Sequence, residues 1–316
     1  MGLLARRGLL ENIYPDLDAD ESFSREDFLE NVHEALEIGG KLYEVVKAVC
    51  LLTSCGSVQE LGDDPAAWTY EGLNAALEQS GRASVLFCDT TLQDDLLKLL
   101  VSASGDKLVD WGAGTCSFDS DYFINLLKTV KAQRDAGITV ELNAGWQMDT
   151  NGALLVLYAD STLSMTSPYW TFGPDGYRHV GLPELGPVVS SALSCGISSL
   201  SLHKQACWDF LKGLYTSSNY LSAAVYKNRL QENKEFRLAE YSDGMADSGM
   251  SQEQYIEYVE RTHALLSSVR YAYRYDPQIW QIVRSEAEAY FAGQGIAEEA
   301  ARSIQSRASI YMAEQA

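Results

Sequence analysis

A chain of 316 residues with 46% hydrophobic and 22% charged residues has ordinary globular composition and the length of about two domains. That excludes a disordered, collagen-like or coiled-coil protein. Lys and Arg number 24 against 44 Asp and Glu, a net charge of −20 with no basic run, so neither nucleic acid nor an anionic membrane surface is an expected partner.

In chain order, residues 24–37 read as a helix. Ser24 caps it, Asp27 completes a capping box, Phe28, Val32 and Leu36 share a face, and Gly39-Gly40 ends it. Val45 to Thr53 is an apolar run of strand character. A turn over 63–67, around Pro65, precedes a helix that opens at Trp68-Thr69, turns Leu73 and Leu77 inward and closes at Gly81. Residues 83–88 form a short apolar strand, 92–103 a helix, and Asp106 to Gly114 an extended segment with a turn. The next helix runs from about Ser120 to Ala136, with Phe123, Leu126, Leu127 and Val130 as its stripe and Gly137 as its stop.

Residues 153–158 are wholly apolar, as in a strand buried on both faces. Pro168 to Pro187 reads as loop. The segment His203–Tyr215 is helical, with Cys207, Phe210, Leu211 and Leu214 on one face, and 251–270 is helical too. Two helices close the chain. Ile279, Ile282, Val283, Tyr290 and Phe291 stripe the first, Gly293-Gln294-Gly295 breaks it, and Ala297, Ala300, Ala301, Ile304, Ala308 and Tyr311 stripe the second. Short apolar strands alternating with longer helices predict an α/β fold. No polar linker separates consecutive domains, which points to interleaved lobes.

The search for chemistry is mostly negative. His33, His179, His203 and His263 are isolated, so no metal site is expected. Cys50, Cys55, Cys88, Cys116, Cys195 and Cys207 form no Cys-x-x-Cys and read as buried reduced thiols. The sequence has no Gly-x-Ser-x-Gly elbow and no Walker loop, and Gly112-Ala113-Gly114 reads as a turn, so no cofactor is expected. The pairs Asp63/Asp64 and Asp94/Asp95 read as solvated surface. No run of about 18 apolar residues is present, and the first residues do not have the apolar core of a secretory signal. The positive signal is aromatic: 18 Tyr, 9 Phe and 6 Trp, with Trp111, Trp146, Tyr169, Trp170 and Trp280 near glycine and proline turns. Sugar rings stack their C–H faces on such side chains, while acids and amides bind the hydroxyls.

Segments spread along the chain resemble the extracellular solute-binding proteins of ABC-type sugar importers, the family that includes the maltodextrin-binding proteins. Gly8-Leu9-Leu10-Glu11-Asn12-Ile13-Tyr14-Pro15 is similar to one of its stretches. So is Gly40-Lys41-Leu42-Tyr43, although Glu44 and Val46 stand where the family has Gly and Pro. Trp68-Thr69-Tyr70-Glu71, the loop from Pro168 through His179-Val180-Gly181-Leu182-Pro183, Ile197-Ser198-Ser199, Lys204 to Leu211 and the tail Ile279 to Tyr311 continue the likeness in the same order.

The resemblance implies a periplasmic-binding-protein type II-like α/β fold of two interleaved lobes with a cleft. In the family the motif around Gly8 lies well into the chain, so the resemblance implies truncation at the N-terminus. Residues 1–48 and 196–250 are then the remnant of lobe one, and 49–195 with 251–316 are lobe two. A lobe lacking its leading strands is expected to leave the helices at 24–37 and 203–215 with exposed apolar faces, and to bind sugars weakly.

The resemblance further implies a non-enzymatic, monomeric, extracytoplasmic protein that captures an oligosaccharide by cleft closure and delivers it to membrane permease subunits. It places Trp280 in the cleft, near the start of the penultimate helix, and Tyr158 and Asp160 on a cleft-lining turn. Trp170 and Trp111 are the further ligand-binding candidates. The alternatives are a carbohydrate-active hydrolase with two carboxylates across the cleft, and a truncated remnant that binds nothing.

Overall fold

The structure, a computed structural model, describes residues 1–61, 68–80, 84–88, 96–135, 153–160, 163, 167–173, 175–217, 223–241 and 249–315. Trp146, the turn at 63–67, the pairs Asp63/Asp64 and Asp94/Asp95, and the side chains of Leu77, Cys88 and Trp170 lie outside the described residues.

One mixed sheet organises the molecule. Its spine is β1 (Val45–Ser57), with β2 (Ser84–Cys88) and β5 (Ala153–Asp160) on one side and β7 (Val188–Cys195) and β9 (Tyr271–Ala272) on the other, in the order β2-β5-β1-β7-β9. β6 (Tyr177–His179) and β8 (Ala223–Ala224) also pair with β1, and β3 (Val109–Asp110) and β4 (Thr115–Cys116) form a separate hairpin. β1 is antiparallel to β5, with Leu51 opposite Asp160 and Cys55 opposite Val156. It is antiparallel to β7 from Val45–Cys195 to Leu52–Val188, with a bulge around Ala48.

Around the sheet lie α1 (Gly2–Arg6), α2 (Tyr14–Ala19), α3 (Glu30–Leu36), α4 (Val58–Leu61), α5 (Tyr70–Ser80), α6 (Leu96–Ala103), α7 (Asp121–Asp135) and α8 (Ser167–Phe172). They are followed by α9 (Lys204–Thr216), α10 (Lys227–Ala239), α11 (Gln252–Leu265), α12 (Pro277–Phe291) and α13 (Ala297–Glu314).

Alternation along β5 separates two cores. Leu155 and Leu157 face a cluster built with α6, α7, α12 and α13. Val156 and Tyr158 face a tyrosine-rich cluster with Tyr169, Tyr177, Tyr255 and Tyr258. A third cluster gathers Ile13, Leu17, Phe28, Val32, Leu42, Val45, Trp208, Leu211 and Tyr215. β1 feeds all three, through Val45, Leu52 and Cys55.

Several expectations from sequence need correction. The helix over 24–37 is interrupted. The Ser24 backbone N–H does donate to the Asp27 carboxylate, at 2.7 Å. That turn is a 3-10 turn over Arg25–Asp27, however, and Phe28 is extended, bridging to Tyr226 before α3 begins. A cross-chain pairing outweighs the local helical signal there.

Pro168–Pro187 is not only loop, since it holds most of α8 and all of β6. β7, with the sequence Val-Val-Ser-Ser-Ala-Leu-Ser-Cys, breaks its apolar run with Ser190, Ser191 and Ser194, and it pairs with β1 along its length while Val188 and Val189 are fully buried. α9 turns Trp208, Leu211 and Tyr215 inward and leaves Phe210 70% exposed, so Phe210 is not on its core face. The apolar faces of α3 and α9 are covered by one another's cluster rather than bare: Val32, Trp208 and Tyr215 are all at most 2% exposed.

Candidate functional site

The loop between β9 and α12 is anchored at the sheet edge by backbone and side-chain bonds. The Tyr273 N–H donates to the Val189 carbonyl at 2.7 Å, and the Arg274 N–H to the Ser102 carbonyl at 2.8 Å. The Arg274 guanidinium donates to the carbonyls of Ala35 at 3.0 Å and Glu37 at 2.7 Å, and lies 3.4 Å from the Asp106 carboxylate. Burial raises the Asp106 carboxyl above its ordinary range, against the pull of Arg274. Asp276 then caps α12, accepting from the N–H groups of Gln278 and Ile279 at 2.9 Å each, with Pro277 as the first helical residue. Tyr311 of α13 points its hydroxyl at Asp276, 3.4 Å away, and burial together with that carboxylate pushes its phenol up to about 12.

Opposite this loop stands the β3–β4 turn. The Gly114 N–H donates to the Asp110 carbonyl at 2.8 Å and the Ala113 N–H to the Asp110 carboxylate at 2.9 Å. Gly114 sits at φ +73, a conformation that glycine adopts without strain. The turn holds Trp111 against α1. A Cβ added at Gly2 would lie 2.6 Å from its indole, so only a glycine lets the helix approach so closely.

Between them opens a cleft of about 410 Å³, within the ~300–1,000 Å³ typical of small-molecule sites. Trp111, Tyr273 and Tyr275 give it aromatic surface, and Glu44, Ser190, Ser194, Arg274 and Asp276 give it polar groups. A smaller void of about 20 Å³ lies behind, lined by Trp111, Ile279 and Trp280, with room for a water molecule.

The structure therefore brings together two of the sequence candidates, Trp111 and Trp280, around cavities that share lining residues. Trp111 is only 3% exposed and Trp280 is half-buried. It does not bring Tyr158 and Asp160 to them. Tyr158 is fully buried in the tyrosine cluster, with its hydroxyl hydrogen-bonded to Nδ1 of His179 at 2.8 Å. Desolvation lowers that imidazole to about 3. Asp160 is 2% exposed, and its carboxylate accepts the Leu163 N–H at 2.8 Å. Trp170 belongs to α8, with its side chain outside the described residues.

Sequence reasoning missed Tyr273, Arg274, Tyr275 and Asp276. Asp276-Pro277 is a cap signal that could have marked the loop before α12. The loop's position facing Trp111 has no local signal. Glu44 is noticeable in sequence only as a departure from the glycine of the resembled family, and it lies 5% exposed on the cleft wall. Among the described residues no group of three or more metal-ligating side chains occurs.

No family model matches the sequence, and no curated protein sequence matches it significantly. Solved structures do match the fold. A cyclic α-maltosyl-1,6-maltose binding protein from Arthrobacter globiformis is 16% identical, with a TM-score of 0.53 over 99% of this chain and 83% of its own. An ABC substrate-binding protein from Listeria monocytogenes, in complex with cycloalternan, is 14% identical, with a TM-score of 0.50 over 99% and 82%. Maltose-bound MalE3 of T. maritima is 15% identical, with a TM-score of 0.50 over 98% and 82%. The fold is α/β of the type II periplasmic-binding-protein kind.

Proposed function

We propose that this chain captures a carbohydrate in the cleft beside Trp111, against Tyr273 and Tyr275, without turning it over, as the binding subunit of an ABC-type importer. The observation that carries the reading is the convergence of Trp111, Tyr273 and Tyr275 with Glu44, Arg274 and Asp276 on one cleft. Aromatic faces take the C–H faces of a sugar, and a few fixed polar groups around them orient its hydroxyls. The named ligands of the fold's neighbours, cyclic maltosyl-maltose, cycloalternan and maltose, support that ligand class. Trp280 supports the cleft wall from behind Trp111.

The proposed lobes are residues 1–48 with 196–250, and 49–195 with 251–316. The cluster around Trp208 draws chiefly on the first of these and the cluster around α7, α12 and α13 chiefly on the second, which supports the division, with β1 and β7 running between them. Cleft closure about those strands, delivery to membrane permease subunits and an extracytoplasmic, monomeric state belong to the same proposal. Among the described residues no helix is long and apolar enough to cross a membrane.

Titration calorimetry of the chain with maltose, maltotetraose and a cyclic glucan, with chromatography of the sugar afterwards, tests the proposal. Saturable heat with the sugar recovered intact is the expected result. Shortened sugar chains would assign the cleft to hydrolysis, and no heat with any sugar would remove the carbohydrate reading.

A further inference from the structure

Trp111 also lines a third cavity, of about 220 Å³. Arg6, Gly39, Lys41, Tyr43 and Gly112 share its wall. No carboxylate lines it, although the chain carries 44 acidic residues against 24 basic ones. The turns holding Gly39 and Gly112 touch: a Cβ at Gly112 would lie 2.7 Å from the Gly39 backbone, so the wall there is bare main chain.

Among the described residues neither Arg6 nor Lys41 has an ion-pair partner. One Arg6 guanidinium N–H reaches the Trp111 carbonyl at 3.4 Å, and Arg6 Nε is buried without any hydrogen-bond partner. On a surface whose overall charge repels anions, two unneutralised cations beside an aromatic ring make a local exception.

We propose that this cavity is an anion subsite of the sugar cleft. An oxyanion group on the ligand, the carboxylate of a uronic acid or a phosphate monoester, sits between Arg6 and Lys41 while its sugar ring extends into the cleft that shares Trp111 as a wall. Arg6 offers a planar fork of donors and Lys41 a point charge, a pairing that suits either group. The proposal rests on the carbohydrate reading of the cleft and narrows its ligand to acidic sugars.

Calorimetry on the whole chain, at low and at physiological salt, tests it with four probes: maltotriose, trigalacturonate, maltose 1-phosphate and inorganic phosphate. The expected result is that one of the two anionic sugars binds at least about tenfold tighter than maltotriose at low salt. The advantage shrinks as salt rises. Whichever acidic sugar wins identifies the group. Lys41 is exposed, so Lys41→Gln is expected to fold as the parent does, with circular dichroism as the check, and to cut the acidic-to-neutral affinity ratio by about tenfold. Lys41→Arg is expected to restore it. Equal affinities for neutral and acidic sugars, or a ratio untouched by Lys41→Gln, would overturn the anion subsite and leave the carbohydrate reading standing. No heat with any sugar would overturn both, and heat from inorganic phosphate alone would place the cations outside a sugar cleft and overturn the proposal as well.

Discussion

Trp280 is half-buried at the start of α12 and shares a void with Trp111. Its truncation is therefore expected to act on both binding and stability, with binding the larger effect. Trp280→Ala should weaken sugar binding by about tenfold, while its stability cost stays below the roughly 3–5 kcal/mol of a fully buried tryptophan. Calorimetry and urea unfolding of the same variant separate the two. Unchanged affinity in a folded variant would remove Trp280 from the site.

His33 makes a different prediction. It is 4% exposed and stacked on Phe28 with ring centroids 5.0 Å apart, and burial, with Arg25 nearby, lowers its imidazole to about 4. The unfolded chain takes up this proton near the ordinary histidine pKa of about 6.5 and the folded chain only near 4. Stability is thus complete above about 6.5 and is lost as pH falls towards 4, by roughly 2 kcal/mol at pH 5. Urea unfolding at pH 7.5 and pH 5 should show the loss, and His33→Gln should shrink that difference by roughly 2 kcal/mol, leaving the share of His179 and His263, whose imidazoles burial also lowers.

At the scale of elements, α9 offers the sharpest contrast. Trp208 and Phe210 are two positions apart on one helix and so point to different sides. Trp208 is 1% exposed and its indole N–H donates to the Asp20 carboxylate at 2.8 Å. Lys212 reaches the same carboxylate at 3.0 Å, and the Ser22 backbone N–H, the largest influence, helps hold that acid at about 2. Trp208→Ala is expected to cost about 3–5 kcal/mol, whereas Phe210→Ser should stay within about 0.5 kcal/mol. Equal losses for the two variants in urea unfolding would show that the helix is rotated from its described position.

For the whole molecule, the covered apolar faces of α3 and α9 matter most. A half-formed lobe would expose them, yet they close a cluster with Ile13, Leu17, Leu42 and Val45. Hydrogen exchange is therefore expected to find the amides of Trp208–Tyr215 protected about as strongly as those of Phe123–Val130, since both stretches bury their inward faces. Much faster exchange in α9 would mean that its cluster opens independently of the rest.

Local periodicity was enough to reveal the helices whose stripes are long, such as Phe123–Val130 in α7 and Ile279–Phe291 in α12, and the wholly apolar strands. It also sufficed for the α/β class, because alternation of short strands and long helices is a property of neighbouring residues. The order of motifs pointed to the same fold that the solved neighbours share. What sequence could not show was every feature made by residues far apart in the chain. Phe28 leaves its helix to bridge Tyr226, β7 pairs along β1 across its serines, and Tyr158 and Asp160 are buried where a cleft turn was expected. Trp111 meets the loop of Tyr273–Asp276, and Arg6 meets Lys41, only once the sheet has set their elements side by side. Periodicity tells which face of an element is buried, and the tertiary pairing of elements decides what that face and its opposite meet.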